Sequence, residues 1–177
     1  NAKKLDKISY EEMLELASLG AKVLHTRSVE LAMQYKVKVR VLNSFRNGSG
    51  TLLCDEEDIM EKRVVSGITF SKYEAKLTLL GVKDKPGVAG IVFDFLSKAN
   101  INVDMIIQNI SDNDLNNLTF SCPTDQVEMA KNSLEIGKEK NILEYKKLDV
   151  DTLVSKISIV GIGMRSHSGI AQTMFKA

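Results

Sequence analysis

The amino-acid sequence predicts an α+β fold in which a ferredoxin-like βαββαβ unit follows a helical segment. Strand and helix periods alternate from residue 75 to residue 148, a Pro-Gly turn joins the first of these strands to the first helix, and part of the pattern repeats later in the chain. The order strand, helix, strand, strand, helix, strand places both helices on one face of a mainly antiparallel sheet.

The composition fits one or two ordinary globular domains. The chain has 177 residues, 44% hydrophobic and 27% charged. A net charge of +1 gives no electrostatic reason to expect nucleic acid or an anionic membrane as a partner. Cys54 and Cys122 lie far apart without a Cys/His cluster, which predicts a reducing, cytoplasmic location and no metal site. No stretch approaches the roughly 18 apolar residues that span a bilayer.

The N-terminal third is predicted to hold two helices, a strand and a loop. Ser9 followed by Glu12 is a capping box, and it predicts a helix that ends near Gly20. The next three elements are a helix, a strand and a polar loop, at residues 27–35, 36–42 and 43–51. The acidic run at 54–62 is the best candidate for a linker, because clustered carboxylates favour solvent over a core.

Six further elements form the βαββαβ unit. The strands are predicted at 75–81, 101–109, 117–122 and 142–148, and the helices at 87–99 and 125–137. The first helix carries a wide apolar stripe that must lie on a sheet. In the second strand, Ile101, Val103, Met105 and Ile107 are predicted to face the helices, which puts Gln108 on the open face.

An internal repeat is the most informative feature. "KLTLLGV" at 76–82 returns as "KISIVGI" at 156–162, and "GVAGIVF" at 87–93 is echoed by "GIAQTMF" at 169–175. The chain ends inside the first helix of the second copy. We therefore expect it to be a fragment of a longer protein.

The turn at residues 84–87 is the candidate binding site. Pro86 fixes φ for the bend, Gly87 permits close backbone approach, and the N–H groups that open the helix suit a carboxylate. With Asp84 as an acceptor for an ammonium, the turn suits a free α-amino acid. An ordinary helix cap and bend is the alternative. Gln108 and Asn109 end the second strand and add amide groups if that strand lies beside the turn.

Motifs for covalent or metal catalysis are absent from the sequence, which has only two histidines. We expect His25, near a helix end, to be a structural or surface residue. His167 lies in the repeated turn, where a ligand contact and a plain loop position are equally good interpretations.

Three stretches resemble the aspartokinase family. "ISYEEMLELASLGAKVLHTRSVELAMQYKVKVRVLNSF" resembles the end of its catalytic domain, "LGVKDKPGVAGIVFDFLSKANINVDMIIQNIS" followed by "LTFSCP" resembles its first ACT domain, and "KISIVGIGMRSHSGIAQTMF" is similar to the opening of the second. The domains that this implies are the end of the catalytic domain with a linker, a first ACT domain and the start of a second, at 1–62, 63–150 and 151–177.

The resemblance implies a regulatory role for this segment. The family phosphorylates the β-carboxylate of aspartate with ATP, on the route to lysine, threonine and methionine, and its ACT domains bind end-product amino acids that inhibit it. Lysine, threonine or both are the implied effectors. ATP and magnesium are implied for the full-length enzyme only. The family's N-terminal Lys-Phe-Gly-Gly-Thr motif has no counterpart here, so no catalytic residue is expected and the segment alone is expected to be inactive.

Two effector sites follow when the turn and strand-end residues are combined with the family's motifs. The first set is Asp84, Lys85, Pro86, Gly87, Val88, Ala89, Gln108, Asn109 and Ser111. The second, which the resemblance alone implies, is Met164, Ser166, His167, Gly169 and Ile170. Two positions depart from the family pattern. Ser168 stands where proline is usual, and Val88 stands where glutamate is common, so a contact through that side chain is lost.

The resemblance also implies partners: a homodimer through ACT domains with the sheets side by side, and a separate catalytic subunit in some family members. The stretch "RVVSGITF" at 63–70 resembles a strand that the first ACT unit lends to the second. Two alternatives remain, a stand-alone amino-acid-binding module of ACT type and a ligand-free dimerisation module. The first 55 residues favour an aspartokinase, because only that protein needs the catalytic-domain ending.

Overall fold

The computed structural model describes residues 3–60, 64–83, 85–111, 115–161, 164 and 169–176. The helices are α1 (Tyr10–Ser18), α2 (Thr26–Gln34), α3 (Val88–Lys98), α4 (Val127–Glu139) and α5 (Ile170–Lys176). The strands are β1 (Lys7–Ser9), β2 (Val39–Val41), β3 (Thr51–Cys54), β4 (Gly67–Lys83), β5 (Ile106–Ser111), β6 (Leu115–Pro123) and β7 (Lys147–Val160).

The chain divides into two compact units. The terminal unit comprises Asn1–Ser71 and Ile157–Ala177, and the central unit comprises Lys72–Lys156. Strands β4 and β7 each contribute residues to both units. The domain boundaries expected at residues 62 and 150 stay a prediction. No helix in the described ranges is both long and apolar enough to cross a membrane.

The terminal unit is built on a three-stranded sheet in the order β1-β3-β2. Strand β1 runs parallel to β3, and β2 runs antiparallel to it. The capping box that opens α1 is confirmed: Glu12 N donates to Ser9 Oγ at 3.2 Å, and Ser9 N donates to Glu12 Oε2 at 3.5 Å. The apolar residues that form the core of this unit are Ile8, Tyr10, Met13, Leu16, Val29, Ala32, Leu53 and Val160.

Strands were predicted less well than helices in this unit. The strand expected at 36–42 is confined to Val39–Val41, and β1 and β3 were not predicted at all. Three or four residues are too few to show a period of two, and β1 and β3 pair across more than 40 residues of chain. The acidic run forms a 3₁₀ turn at Glu56–Asp58. Lys38 Nζ forms an ion pair with Asp58 Oδ2 at 2.7 Å.

The central unit has a four-stranded sheet in the order β5-β6-β4-β7. Helices α3 and α4 supply Val92, Leu96, Ala130 and Leu134 to a core shared with β4 and β6, so the predicted ferredoxin-like α+β arrangement is confirmed. The strand residues that face this core are Ala75, Leu77, Leu79, Leu118, Phe120 and Cys122. Phe93 of α3 packs edge-on against Phe120, with ring centroids 6.1 Å apart.

The predicted faces of the second segment are right for Ile101 and Val103, which pack in the helix-covered core, and wrong from Ile106 onward. Strand β5 begins only at Ile106, which pairs with the core residue Phe120, and Gln108 pairs with the core residue Leu118. Directly paired residues share a face, so Gln108 lies on the helix-covered side and Ile107 on the open side. The backbone of Ser121 bonds two successive residues, since Asp104 N donates to Ser121 O at 3.1 Å and Ser121 N donates to Met105 O at 2.9 Å. Two residues thus lie opposite one, which changes the side-chain phase before Ile106, and Ser121 Oγ accepts the remaining Met105 N–H at 3.1 Å.

The last predicted strand, at 142–148, also begins later, at Lys147. Leu143 and Tyr145 are buried in the irregular segment before it, and this alternate burial gives a loop the pattern of a strand. From Lys147 to Val160 the chain is one continuous strand that runs into the second copy of the repeat. Strand β4 likewise runs without a break from Gly67 into the first copy.

Candidate functional site

The approach to the predicted turn is a β-bulge. Leu79 pairs with Leu118 and Val82 pairs with Asn116, so Leu80 and Gly81 together lie opposite the single residue 117. The extra residue changes the side-chain phase, which allows Leu79 and Val82 both to be buried, at 0% and 3% exposure. Without the bulge, two residues three apart on one strand would face opposite sides of the sheet.

Three groups hold this bulge. Asn117 Oδ1 accepts the Gly81 N–H at 3.1 Å, and Lys146 N donates to Leu80 O at 2.8 Å. The aliphatic chain of Lys146 lies over Gly81, where a Cβ would be 2.7 Å from Lys146 Cγ and Cδ. Gly81 also has φ of 67°, so both its conformation and its surroundings require glycine.

The turn itself presents its backbone to solvent. Lys85, Pro86 and Gly87 are exposed, and Val88 and Ala89 are half-buried at the start of α3. Gly87 is the N-cap residue with φ of 86°, and a Cβ there would meet nothing within 4 Å, so the backbone conformation alone requires glycine. Val88 N donates to Lys85 O at 3.1 Å, so the turn itself uses that N–H, which was expected to serve a ligand. Asp84 lies outside the described residues.

Glu144 binds the lysines on both sides of residue 84. Its carboxylate forms ion pairs with Lys83 and with Lys85, the latter at 2.7 Å. Hydrogen bonds from Lys83 and Lys85 lower the pKa of Glu144 to about 2. Buried side chains on both sides, Leu143 and Tyr145, anchor Glu144 in the chain. The ammonium group of Lys85 is therefore directed towards the segment after α4.

This ion pair predicts a pH dependence of stability. The folded-state pKa of Glu144 lies below the ordinary value of 4.5, so its contribution is complete above pH 4.5 and disappears as the pH falls towards about 2. We expect the stability difference between the wild type and Glu144→Gln to be constant near neutral pH and to close within that window. NMR titration of the Glu144 carboxyl group should give a midpoint near 2, and Lys85→Met should raise it. A wild-type midpoint above 4 would contradict the ion pair.

The structure does not bring Gln108 and Asn109 beside the turn of the same chain. Strand β6 lies between β5 and β4, and two inter-strand spacings amount to about 10 Å. Both residues are exposed on the edge strand. Ser111 is nearest in register, since it pairs with Leu115, which pairs with Lys83. A groove of about 470 Å³ between α3 and the start of β5 contains none of the predicted effector residues.

The second predicted set is described only in part. Met164 and Ile170 are half-buried and Gly169 is exposed, whereas Ser166 and His167 lie outside the described residues. Gly169 has φ of 89°, close to the value at Gly87, so the repeated turn keeps a left-handed glycine before its helix. Gly161 is the counterpart of Gly81 in the repeat, but glycine is required there for a different reason. A Cβ at Gly161 would lie 2.2 Å from Val64 O, so close backbone approach requires glycine there.

Two further residues belong to the site geometry although the sequence analysis did not select them. Asn117 lies inside a strand, where asparagine is uncommon. This unusual position was the feature of the sequence that could have drawn attention to it. Glu144 had no local signal, because its partners lie about 60 residues earlier in the chain. His25 is structural, as expected: it caps α2 by accepting the Arg27 N–H at Nδ1, 3.3 Å away. Among the described residues, no group of three His, Cys, Asp or Glu could hold a metal ion.

Comparisons with known proteins bear on this site. A model of the amino acid kinase family matches residues 1–43, and an ACT domain model matches residues 77–136, which include the turn, β5 and most of α4. A regulatory subunit of aspartate kinase from Thermus thermophilus is 30% identical, with a TM-score of 0.58, over 64% of this chain and 74% of that one. A crystal structure of aspartokinase α and β subunits is 38% identical, with a TM-score of 0.57, over 63% and 72%. The chain belongs to the aspartate kinase family.

Relatives that align with nearly the whole of this chain agree with this assignment. The aspartate kinase of Pseudomonas putida is 48% identical over 99% of this chain, which spans only 43% of that protein. Escherichia coli aspartokinase III in complex with lysine and aspartate shares the fold, with 22% identity and a TM-score of 0.64 over 90% of this chain and 34% of that one. The segment thus carries an ACT domain and, before it, residues that match the amino acid kinase family.

Proposed function

We propose that this chain is the feedback-sensing part of an aspartate kinase and that its central unit binds threonine or lysine. The full-length enzyme would transfer phosphate from ATP, with magnesium, to the side-chain carboxylate of aspartate in the cytoplasm. The observation that carries the proposal is the exposed turn at Lys85–Gly87, which opens α3 inside the region matched by the ACT model. The N–H groups at a helix start suit the carboxylate of an amino acid.

The distance between the turn and β5 supports an effector site shared by two chains. Within one chain β6 separates the two sets of predicted residues, by about 10 Å. Strand β5 is one of the two edge strands of the sheet, so a second copy can approach it. An amino acid held between the turn of one copy and β5 of another would favour one arrangement of the two. Inhibition would then be a difference in affinity between two states of the enzyme.

The family gives chemical support for an amino-acid effector. Escherichia coli aspartokinase III was crystallised with lysine, so a protein of this fold can hold an amino acid. The second candidate function, a stand-alone amino-acid-binding module, predicts the same binding without kinase activity. The amino acid kinase match at residues 1–43 favours the enzyme over the module.

Calorimetry on the full chain tests the proposal. We expect L-threonine or L-lysine to bind with a dissociation constant below 1 mM, about −4.1 kcal/mol, and to raise the melting temperature. D-Threonine is the matched control, since it carries the same charges in the wrong configuration and should bind more weakly. Absence of both heat and a thermal shift at millimolar L-amino acid would contradict the proposal and favour a ligand-free dimerisation module.

A further inference from the structure

The bulge at Leu80–Gly81 determines how β4 enters the turn. Because two residues oppose one, every side chain after Gly81 faces the opposite side of the sheet from the side it would face on an uninterrupted strand. Val82 is thereby buried, and Lys83 and Lys85 reach Glu144. The direction of the turn therefore depends on whether the bulge stays at Gly81 or moves along the strand.

Asn117 is the residue on β6 that the bulge faces. Its side-chain oxygen accepts the Gly81 N–H at 3.1 Å, the backbone donor that the extra residue removes from the ladder. On its other side Asn117 pairs with Asn109 of β5, one of the predicted effector residues. The same side chain thus lies beside the edge strand and holds the entry to the turn.

The geometry points to Asn117 as a positioning residue for the effector turn: its side-chain oxygen fixes the bulge at Gly81 and so aims the helix-opening N–H groups at the effector. This inference rests on the proposed function. Asn117 need not touch the effector. It acts through the position of Gly81, and a carbonyl or carboxylate oxygen at residue 117 is the chemical requirement.

Paired substitutions separate this role from a general loss of stability. Asn117→Ala removes the acceptor, and Asn117→Asp keeps an oxygen at the same place. Thr119→Ala is the matched control, because Thr119 is two residues further along the same face and its hydroxyl bonds Thr78 at 3.0 Å, outside the bulge. The readouts, all on the full chain, are hydrogen exchange at the Gly81 amide, effector affinity by calorimetry and melting temperature.

We expect Asn117→Ala to accelerate exchange at Gly81 and to weaken threonine or lysine binding by about 3–10-fold, the size of one lost hydrogen bond. Asn117→Asp should stay within about twofold of the wild type in affinity, and Thr119→Ala should lower the melting temperature without changing affinity. Wild-type affinity in Asn117→Ala, or an equal loss in Thr119→Ala, would overturn the inference. If the wild type binds neither amino acid, the proposed function fails, whereas unchanged Gly81 exchange in Asn117→Ala refutes the bulge contact itself.

Discussion

Replacing Phe120 with alanine is expected to lower the free energy of unfolding of the central unit by about 3–5 kcal/mol. Phe120 has 0% exposure at the centre of the sheet, between Leu77 of β4 and Ile106 of β5. Its ring also packs edge-on against Phe93 of α3. The substitution would therefore leave a cavity where the helix layer meets the sheet, and a close-packed interior closes such cavities only in part.

Urea denaturation followed by circular dichroism measures this loss. Phe120→Leu keeps most of the buried volume and should cost less than half as much. Ile136→Ala, at an exposed position of α4, removes a side chain of similar hydrophobicity that is 45% accessible and should change stability little. Equal losses for Phe120→Ala and Ile136→Ala would contradict the placement of the core at Phe120.

The features that the sequence predicts well depend on neighbours close in the chain. The capping box of Ser9 and Glu12, the apolar stripe of α3 and the Pro-Gly turn before α3 each involve residues within one or two turns. Local sequence therefore contains the whole physical cause. The order of these elements then leaves few sheet topologies, and the ferredoxin-like one is observed.

The features that the sequence predicts poorly depend on partners far along the chain. The change of side-chain phase before β5 comes from backbone hydrogen bonds of Asp104 and Met105 to Ser121, which lies about 16 residues later in the chain. A shift of one residue reverses every side chain, so a small error in the start places Gln108 on the wrong face. Leu143 and Tyr145 have the pattern of a strand because both are buried, although they lie in an irregular segment before β7.

The candidate site also has some features with a local cause in the sequence and others that depend on distant partners. Proline and glycine locate the turn, because they act through their own backbone. The residues that hold it, Asn117 and Glu144, lie on β6 and after α4, and only the folded sheet brings them to Gly81 and Lys85. Sequence reasoning thus identified the candidate turn and missed the two groups that bond it.

Asp84→Ala is expected to weaken amino-acid binding by about 10–150-fold, because a hydrogen bond to a charged group contributes about 1.5–3 kcal/mol. An effector's ammonium group needs a carboxylate, and Asp84 supplies the only one between residues 84 and 89. Glu144, which pairs with Lys85 of the turn, is already bound by Lys83 and Lys85. Loss of Asp84 therefore leaves the ammonium without an available anionic partner in the turn.

Calorimetry with L-threonine and L-lysine measures this effect, and melting temperature separates it from unfolding. Asp94→Ala is the matched control, since Asp94 is an exposed carboxylate on α3 whose ion pair with Lys98 lies away from the turn. It should keep wild-type affinity. A turn that binds only the carboxylate of the effector would tolerate Asp84→Ala, whereas a turn that binds a zwitterion requires it. Unchanged affinity in Asp84→Ala would therefore remove this residue from the site and restrict recognition to the helix-opening N–H groups.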